Sequence, residues 1–404
     1  MASTAPPAGL WQAVRLALGT ASALGFARFA YGLLLPAMRD DLNWTLAQAG
    51  AVGAANGLGY LLGALLTTTL VRRLGVAVAF RVGMALTAAS LVMTAVSGDY
   101  LALLAVRTLS GATGAVVFIA GGVLASRAAT AAASTMPITV YFAGTGLGIM
   151  VSGVTVPLLG AHWRMAWVGL GAAAALATLG SWTAAGTDDD RRAAAGRARL
   201  RPLLTPALAY LLFAAGYISY ITFLSTYLAD RHASIAHVVL TWTVLGAAVA
   251  AAPAVWSRPI AEWPGTRALA TLLAVLAGGS ALALTSSATP VALASALAYG
   301  ATFMGVPAAI TALIRAHTPA VDWPATLAVF TTVFAAGQTA GPWLAGLVAD
   351  HTSSAATLEW TAVLCAAAAA ITLVGGLSSR GGQRRAGGSA ATDHHSQSTE
   401  RAGS

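Results

Sequence analysis

The chain has 404 residues, of which 57% are hydrophobic and only 9% are charged, and its formal net charge is +9. Soluble domains carry about a quarter of their residues as charged side chains, so this composition excludes a soluble globular protein. A membrane-spanning helix needs roughly 20 apolar residues, so the length accommodates about a dozen spans and no soluble catalytic domain.

Twelve apolar runs follow one another along the chain, and each is long enough to cross a membrane. The first run, about Trp11 to Leu35, is too long for the apolar part of a signal peptide and lacks a basic leader, so we expect it to stay in the membrane. The sequence therefore predicts an all-α membrane protein with twelve transmembrane helices. The other runs lie near residues 47–71, 75–97, 101–126, 134–158, 164–184, 204–229, 237–256, 266–287, 290–314, 325–349 and 358–377.

The 22 basic residues are all arginine, and their distribution predicts the orientation. With the amino terminus inside, three lie outside: Arg39, Arg164 and Arg231. Seventeen lie on the cytoplasmic side, at positions 15, 72, 73, 81, 127, 191, 192, 197, 199, 201, 258, 267, 315, 380, 384, 385 and 401. This asymmetry follows the positive-inside rule and predicts that both termini are cytoplasmic. It also explains the basic charge without a nucleic-acid partner.

A polar segment, Thr187 to Arg201, divides the chain in the middle. We expect an amino-terminal six-helix bundle at residues 1–186, a basic cytoplasmic linker at 187–203 and a carboxy-terminal six-helix bundle at 204–378. Residues 379–404 are rich in Gly, Ser, Arg and His, so we expect a disordered cytoplasmic tail.

Glycine positions indicate that the two halves are a repeat. Such a duplication predicts alternating access, in which two bundles rock about a central site, and glycine rows let helices pack closely while they slide. The same glycines are also what close packing in any helical bundle requires. The matching positions, at offsets of 189 to 193, are Gly25 and Gly216, Gly75 and Gly265, Gly111 and Gly300, and the rows Gly144, Gly148, Gly153 and Gly337, Gly341, Gly346.

Several motifs resemble those of the major facilitator superfamily, and the resemblance covers the whole chain up to the tail. The stretch LALLAVRTLSGATGA, with Arg107 and Gly111, is similar to its motif B, and Gly144, Gly153 and Pro157 match part of its antiporter motif. The loop motif after the second run is degraded, because Arg72 stands where the superfamily has an aspartate.

Two stretches, GFARFAYGLLLPAMRDDL and NGLGYLLGALL, resemble the YbfB/YjiJ branch of this superfamily. The resemblance implies a bacterial inner-membrane carrier, and it does not supply a substrate.

Two arginines, Arg28 and Arg107, fall inside predicted spans, whereas none of the 13 acidic residues does so at mid-membrane depth. At 1.5 Å per helical residue they lie roughly 12 Å and roughly 10 Å below the outer ends of their spans. A charge at that depth needs a partner. We infer that an anion brought by the substrate supplies it, since the guanidinium fork binds carboxylate or phosphate. For Arg107, a structural or coupling role is favoured over direct substrate contact.

The predicted function is secondary active transport of a small organic anion by alternating access, coupled to a counter-transported anion or a proton, in a monomer. An efflux carrier for apolar or drug-like compounds is an alternative, and a non-transporting receptor or scaffold is another. No nucleophile–base pair or metal set appears inside the spans, so we expect no enzyme activity, cofactor or metal. The predicted substrate-binding residues are Arg28, Tyr31, Asn56, Arg107, Tyr141, Tyr217, Tyr220, Tyr299 and Gln338.

Overall fold

The computed structural model describes residues 8–186 and 197–375. Within these ranges the chain forms twelve long helices, which confirms the predicted all-α architecture. They are α1 (Gly9–Leu42), α2 (Leu46–Leu74), α3 (Val76–Val96), α4 (Tyr100–Ala131), α5 (Met136–Thr155), α6 (Trp163–Ser181), α7 (Leu204–Asp230), α8 (Ile235–Glu262), α9 (Arg267–Thr285), α10 (Thr289–His317), α11 (Trp323–Asp350) and α12 (Ala355–Gly375).

Several of these helices have capping residues at their ends. Thr45 and Gln48 form a reciprocal capping box at the start of α2. The Asp99 carboxylate accepts a hydrogen bond from the backbone N–H of Ala102 at the start of α4 (2.8 Å). Gly75 ends α2 with a positive φ of 82°, a conformation that a side chain would disfavour. The residues at the helix ends therefore determine where these spans begin and end.

Eleven of the described helices are long and apolar enough to cross a membrane. The remaining helix, α11, has 28 residues and includes Gln338 and Pro342, which make it less apolar. It packs against α2 and α7, and Gln338 is only 1% exposed. Its polar side chain is therefore shielded by protein, as a polar group at membrane depth requires.

The first six helices meet the last six along three helix pairs, namely α1 with α7, α2 with α11, and α5 with α8. At Gly32 of α1 a Cβ would overlap the Ile221 carbonyl of α7, and at Gly50 of α2 it would overlap the Pro342 carbonyl of α11. Both contacts lie towards the predicted outer ends of the helices.

Part of the predicted linker, residues 187–196, and the predicted tail at 379–404 lie outside the described residues.

The seven glycines predicted to permit conformational change all lie at close helix contacts, where a Cβ would overlap a neighbour. Gly153 packs against Trp242 and Gly346 against Leu46, so these two join the halves. That these glycines permit the halves to move stays a prediction. The other five pack within their own half: Gly111 on Asn56, Gly144 on Ala17, Gly148 on Ala21, Gly337 on Leu211 and Gly341 on Ala215.

Asp350 connects the two halves at their predicted outer ends. Its carboxylate, at the end of α11, accepts hydrogen bonds from the backbone N–H groups of Leu46 (2.7 Å) and Ala47 (2.9 Å), the first residues of α2. A carboxylate is favourable at a helix N-terminus because it pairs with unsatisfied N–H groups and with the positive end of the helix dipole. The contact therefore holds the outer ends of α2 and α11 together.

Replacing Asp350 with alanine should weaken this outer contact by about 0.5–1 kcal/mol, or about two- to fivefold in the ratio of closed to open molecules. Spin labels at Asp40→Cys and Ser353→Cys, in a Cys365→Ala background, would report the distance between the halves. The fraction with long distances should rise with Asp350→Ala and stay constant with Asp230→Ala. An unchanged distance distribution would remove Asp350 from the outer contact.

The end of the predicted linker is attached to the start of α11 by Asp322. This carboxylate accepts hydrogen bonds from the backbone N–H of Arg197 (2.9 Å) and from Nε of Arg199 (2.6 Å). The Arg199 N–H in turn donates to the hydroxyl of Thr326 (3.1 Å). The bond from Arg197 and then that from Arg199 lower the pKa of Asp322 below its usual value. The attachment is therefore complete above about pH 4, where an unfolded aspartate is ionised, and is lost as the pH falls through the lower folded pKa.

Asp322→Ala should release this segment and raise its cleavage by trypsin after Arg199 several-fold at pH 8, because proteolysis follows the population of the opened segment. Mass spectrometry of the fragments would identify the cleaved bond. Glu262→Ala, at the end of α8, is the control and should leave the rate unchanged. Equal cleavage of the wild type and Asp322→Ala would contradict the attachment.

Candidate functional site

The middle of α1 is π-helical from Ala21 to Phe29, and this segment carries Arg28. The backbone N–H of Ala30 donates to the carbonyl of Gly25, five residues earlier, instead of the four of an α-helix. Such wide turns are rare and frequently occur at functional sites. The corresponding helix of the second half, α7, is α-helical throughout.

Arg28 lies where the two halves meet and is 8% exposed. Its Nη2 donates to the Tyr217 hydroxyl of α7 (3.1 Å) and to Oε1 of Gln338 on α11. The amide nitrogen of Gln338 donates to the carbonyl of Gly57 on α2 (3.4 Å). The guanidinium carbon is 5.3 Å from the ring centroid of Tyr60, also on α2. Four helices from both halves therefore converge on this one charge.

The groups that contact the Arg28 guanidinium in the described part of the chain are neutral. Among the described residues, the ion pairs are Arg164 with Asp41 and Arg199 with Asp322, at helix ends and in the linker. Nε of Arg28 is buried and has no hydrogen-bond partner in the described part of the chain. The site therefore keeps both an uncompensated positive charge and a free donor.

Arg107 on α4 is fully buried, at 0% exposure, inside the first six helices. Its three guanidinium nitrogens have no hydrogen-bond partner among the described residues. The guanidinium carbon lies 5.2 Å from the Tyr31 ring centroid and 5.0 Å from that of Trp167. Aromatic faces attract cations by about 2 kcal/mol or more when both are desolvated. Two rings therefore stabilise this charge, and in this conformation solvent does not reach it.

Of the predicted site residues, Tyr217 and Gln338 are brought into direct contact with Arg28. Apart from Arg107, the other predicted residues form hydrogen bonds with groups of their own half, which gives them a packing role in this conformation. A substrate contact by any of them stays a prediction. Their hydroxyl or amide partners are the Ala49 carbonyl for Tyr31, the Arg107 carbonyl for Asn56, the Phe118 carbonyl for Tyr141, the Ser295 hydroxyl for Tyr220 and the Tyr217 carbonyl for Tyr299.

Three aromatic residues that lie close to Arg28 and its partners are not among the predicted substrate-binding residues. They are Tyr60, Phe213 and Phe334. Each is four residues from a selected position, since Tyr60 follows Asn56, Phe213 precedes Tyr217 and Phe334 precedes Gln338. Helical residues four apart share a face. Tyr60, Phe213 and Phe334 could therefore have been predicted from the residues that lie one helical turn from Asn56, Tyr217 and Gln338.

The family model described as "Uncharacterised MFS-type transporter YbfB" matches residues 20–377. The chain belongs to this family of the major facilitator superfamily. The assignment confirms the resemblance inferred from the motifs. It makes the protein a multi-pass membrane transporter and not an enzyme. No curated protein matches the chain.

Solved structures of superfamily members share the fold of this family member. A crystal structure of the nucleoside transporter NupG is 15% identical in sequence, with a TM-score of 0.66, over 90% of this chain and 98% of that chain. A bacterial homolog of the human lysosomal transporter Spinster, in an inward-facing and unoccupied conformation, is 13% identical, with a TM-score of 0.63, over 92% and 96% of the two chains. At such identities the likeness concerns the fold alone.

The stacking of Arg107 against Trp167 should appear as a coupling energy of about 1–2 kcal/mol in a double-mutant cycle of Arg107→Met and Trp167→Leu. Unfolding of the purified protein would be measured for each variant and for the pair. The control cycle combines Arg107→Met with Trp242→Leu, a buried tryptophan of the other half, and should give a coupling near zero. Strict additivity in the first cycle would contradict a stabilising contact.

Proposed function

We propose that this secondary transporter moves a small organic anion across the bacterial inner membrane by alternating access. The observation that carries the proposal is the Arg28 guanidinium, which is buried between the halves with neutral partners and an unbonded Nε. A permanent charge at membrane depth costs at least about 2.5–3.5 kcal/mol without compensation. A bound carboxylate would remove much of that cost, so the site favours anions over cations.

The partners of Arg28 explain how anion binding would favour movement. Nη2 of Arg28 donates hydrogen bonds to Tyr217 and Gln338, which both belong to the second half of the protein. A carboxylate competes for the same N–H groups, and charge-assisted hydrogen bonds are roughly twice as strong as neutral ones. Binding therefore weakens a connection between the halves and changes their relative stability in the two states, as a ligand must do to shift a conformational equilibrium.

The acidic residues of the described helices lie at or near helix ends, and this favours exchange for a counter-transported anion over proton coupling. A proton relay normally uses a carboxylate or histidine within the bundle. We propose that the carrier is a monomer with both termini cytoplasmic, as the arginine distribution predicts. Exchange needs no titratable group because each anion neutralises the same guanidinium in turn.

An efflux carrier for apolar or drug-like compounds is the second candidate, and the aromatic residues near Arg28 favour it. Tyr60, Tyr217 and Phe334 would bind a neutral flat molecule as well as an anion. NupG, which has a similar fold, is a nucleoside transporter, and a nucleoside is neutral and aromatic. The two candidates differ in whether the Arg28 charge is needed for transport.

Arg28→Ala should reduce the uptake of radiolabelled carboxylates into proteoliposomes at least about tenfold. The bound anion would lose the one mid-span counter-charge of the described helices that is not fully buried. Arg28→Lys should be intermediate, since it keeps the charge and loses the planar fork. Arg231→Ala, an exposed arginine at the end of α7, should leave uptake unchanged.

Counterflow with and without a pH gradient separates the coupling modes. Exchange predicts counterflow that is independent of the gradient, whereas proton coupling predicts uptake that follows it. Carboxylate uptake that survives Arg28→Ala in a correctly folded protein would overturn the anion site. Uptake restricted to neutral compounds would support the efflux candidate instead.

A further inference from the structure

We propose that the transported anion is an aromatic monocarboxylate, with its carboxylate on Arg28 and its planar ring between two clusters of aromatic side chains. This inference rests on the proposed function and narrows the substrate class of the same site. It comes from the shapes and positions of the rings around Arg28, which the charge alone does not explain.

The first cluster belongs to α7 and α11 and consists of Tyr210, Phe213, Tyr217 and Phe334. The ring centroids of Phe213 and Tyr217 are 4.8 Å apart with planes inclined by 17°. Phe334 stacks on Tyr217 at 5.5 Å and 26°, and on Tyr210 at 5.1 Å and 23°. The four rings therefore form a nearly parallel stack, here called the α7/α11 stack. The hydroxyl of Tyr217, within it, accepts the hydrogen bond from Arg28.

The second cluster belongs to α2, α4 and α5 and consists of Tyr60, Phe118, Tyr141 and Phe142. The rings of Tyr60 and Phe118 are 6.4 Å apart, and those of Phe118 and Phe142 are 5.5 Å apart. Tyr60 faces the guanidinium of Arg28, which the α7/α11 stack contacts through Tyr217. Arg28 thus lies between the two clusters, one in each half of the protein.

Three rings of the two clusters keep accessible surface, unlike an ordinary packed core. Tyr60, Phe118 and Phe334 are only half-buried, although all three lie in the middle of their helices. Aromatic faces stack favourably on other planar rings, by about 1–3 kcal/mol per ring in nucleic-acid recognition. A saturated group of the same volume buries similar area but gains no such stacking. The near-parallel rings of the α7/α11 stack, of which Phe334 is half-buried, therefore favour a flat solute.

The number of accessible charges limits the solute to one carboxylate. Within the described helices Arg107 is the other mid-span cation, and it is fully buried between Tyr31 and Trp167. Nε and Nη2 of Arg28 lie on one edge of the planar guanidinium, and a single carboxylate can accept from both. Nε is the donor without a partner. A dicarboxylate or a phosphate would leave a second negative charge without compensation.

The test compares benzoate with cyclohexanecarboxylate, which have the same charge and nearly the same size but differ in planarity. Competition against a labelled aromatic acid, on the full-length protein in proteoliposomes, gives the relative affinities. Benzoate should bind at least about tenfold more tightly, a difference of about 1.4 kcal/mol. Phe334→Leu and Tyr60→Leu should each reduce that preference by at least about threefold, because a leucine side chain packs against either ring but offers no face for stacking.

The possible outcomes separate this inference from the proposed function. If cyclohexanecarboxylate or succinate binds as tightly as benzoate, and binding still depends on Arg28, the aromatic class is wrong and anion transport stands. If benzyl alcohol competes as well as benzoate, the charge is not recognised and both proposals fail. If Phe334→Leu unfolds the protein, Phe334→Trp is the substitute variant and should preserve the preference.

Discussion

The central constraint on this protein is that two permanent positive charges lie within membrane-spanning helices, and neither has a carboxylate partner in the described ranges. Arg28 and Arg107 meet this constraint in different ways. Arg107 is enclosed by the rings of Tyr31 and Trp167 inside one half. Arg28 is shared between the halves through Tyr217 and Gln338. Because lipid solvates neither charge, the packing of α1, α4, α7 and α11 around them is strongly restricted.

This difference separates two residues that look equivalent in the sequence. Arg107 is enclosed by two rings and shielded from solvent in this conformation. Its three guanidinium nitrogens have no hydrogen-bond partner among the described residues, and a substrate contact by Arg107 stays a prediction. A charge bonded across an interface by neutral groups can exchange those groups for a better partner. Only the second arrangement links the occupancy of a site to the contact between the halves, and this supports substrate binding at Arg28.

Much of the architecture could be predicted from the sequence because membranes impose simple rules. Apolar runs predicted twelve helices, and the motifs around Arg107 and Gly144 identified the superfamily. Arg28, Tyr217 and Gln338 were predicted to belong to one substrate site. The hydrogen bonds between them were not predicted, because they depend on how the helices pack. The Trp167 contact and the π-helical turn could not be predicted. The first joins residues 60 positions apart in sequence, and the second leaves no apolar periodicity of its own.

The π-helical segment of α1 makes the two six-helix halves unequal at the place where the Arg28 charge lies. A π turn closes on a residue one position further along than an α turn, so the backbone accommodates an additional residue without lengthening the helix by a full α-helical step. Because the wide turns absorb that residue, the two flanks of α1 keep their register, and the altered direction is confined to the side chains between Ala21 and Phe29. Arg28 is one of these side chains, and it faces Tyr217 and Gln338 of the opposite bundle. In α7, which is α-helical throughout, no side chain is redirected in this way, so local backbone geometry makes the two halves differ where the charge lies.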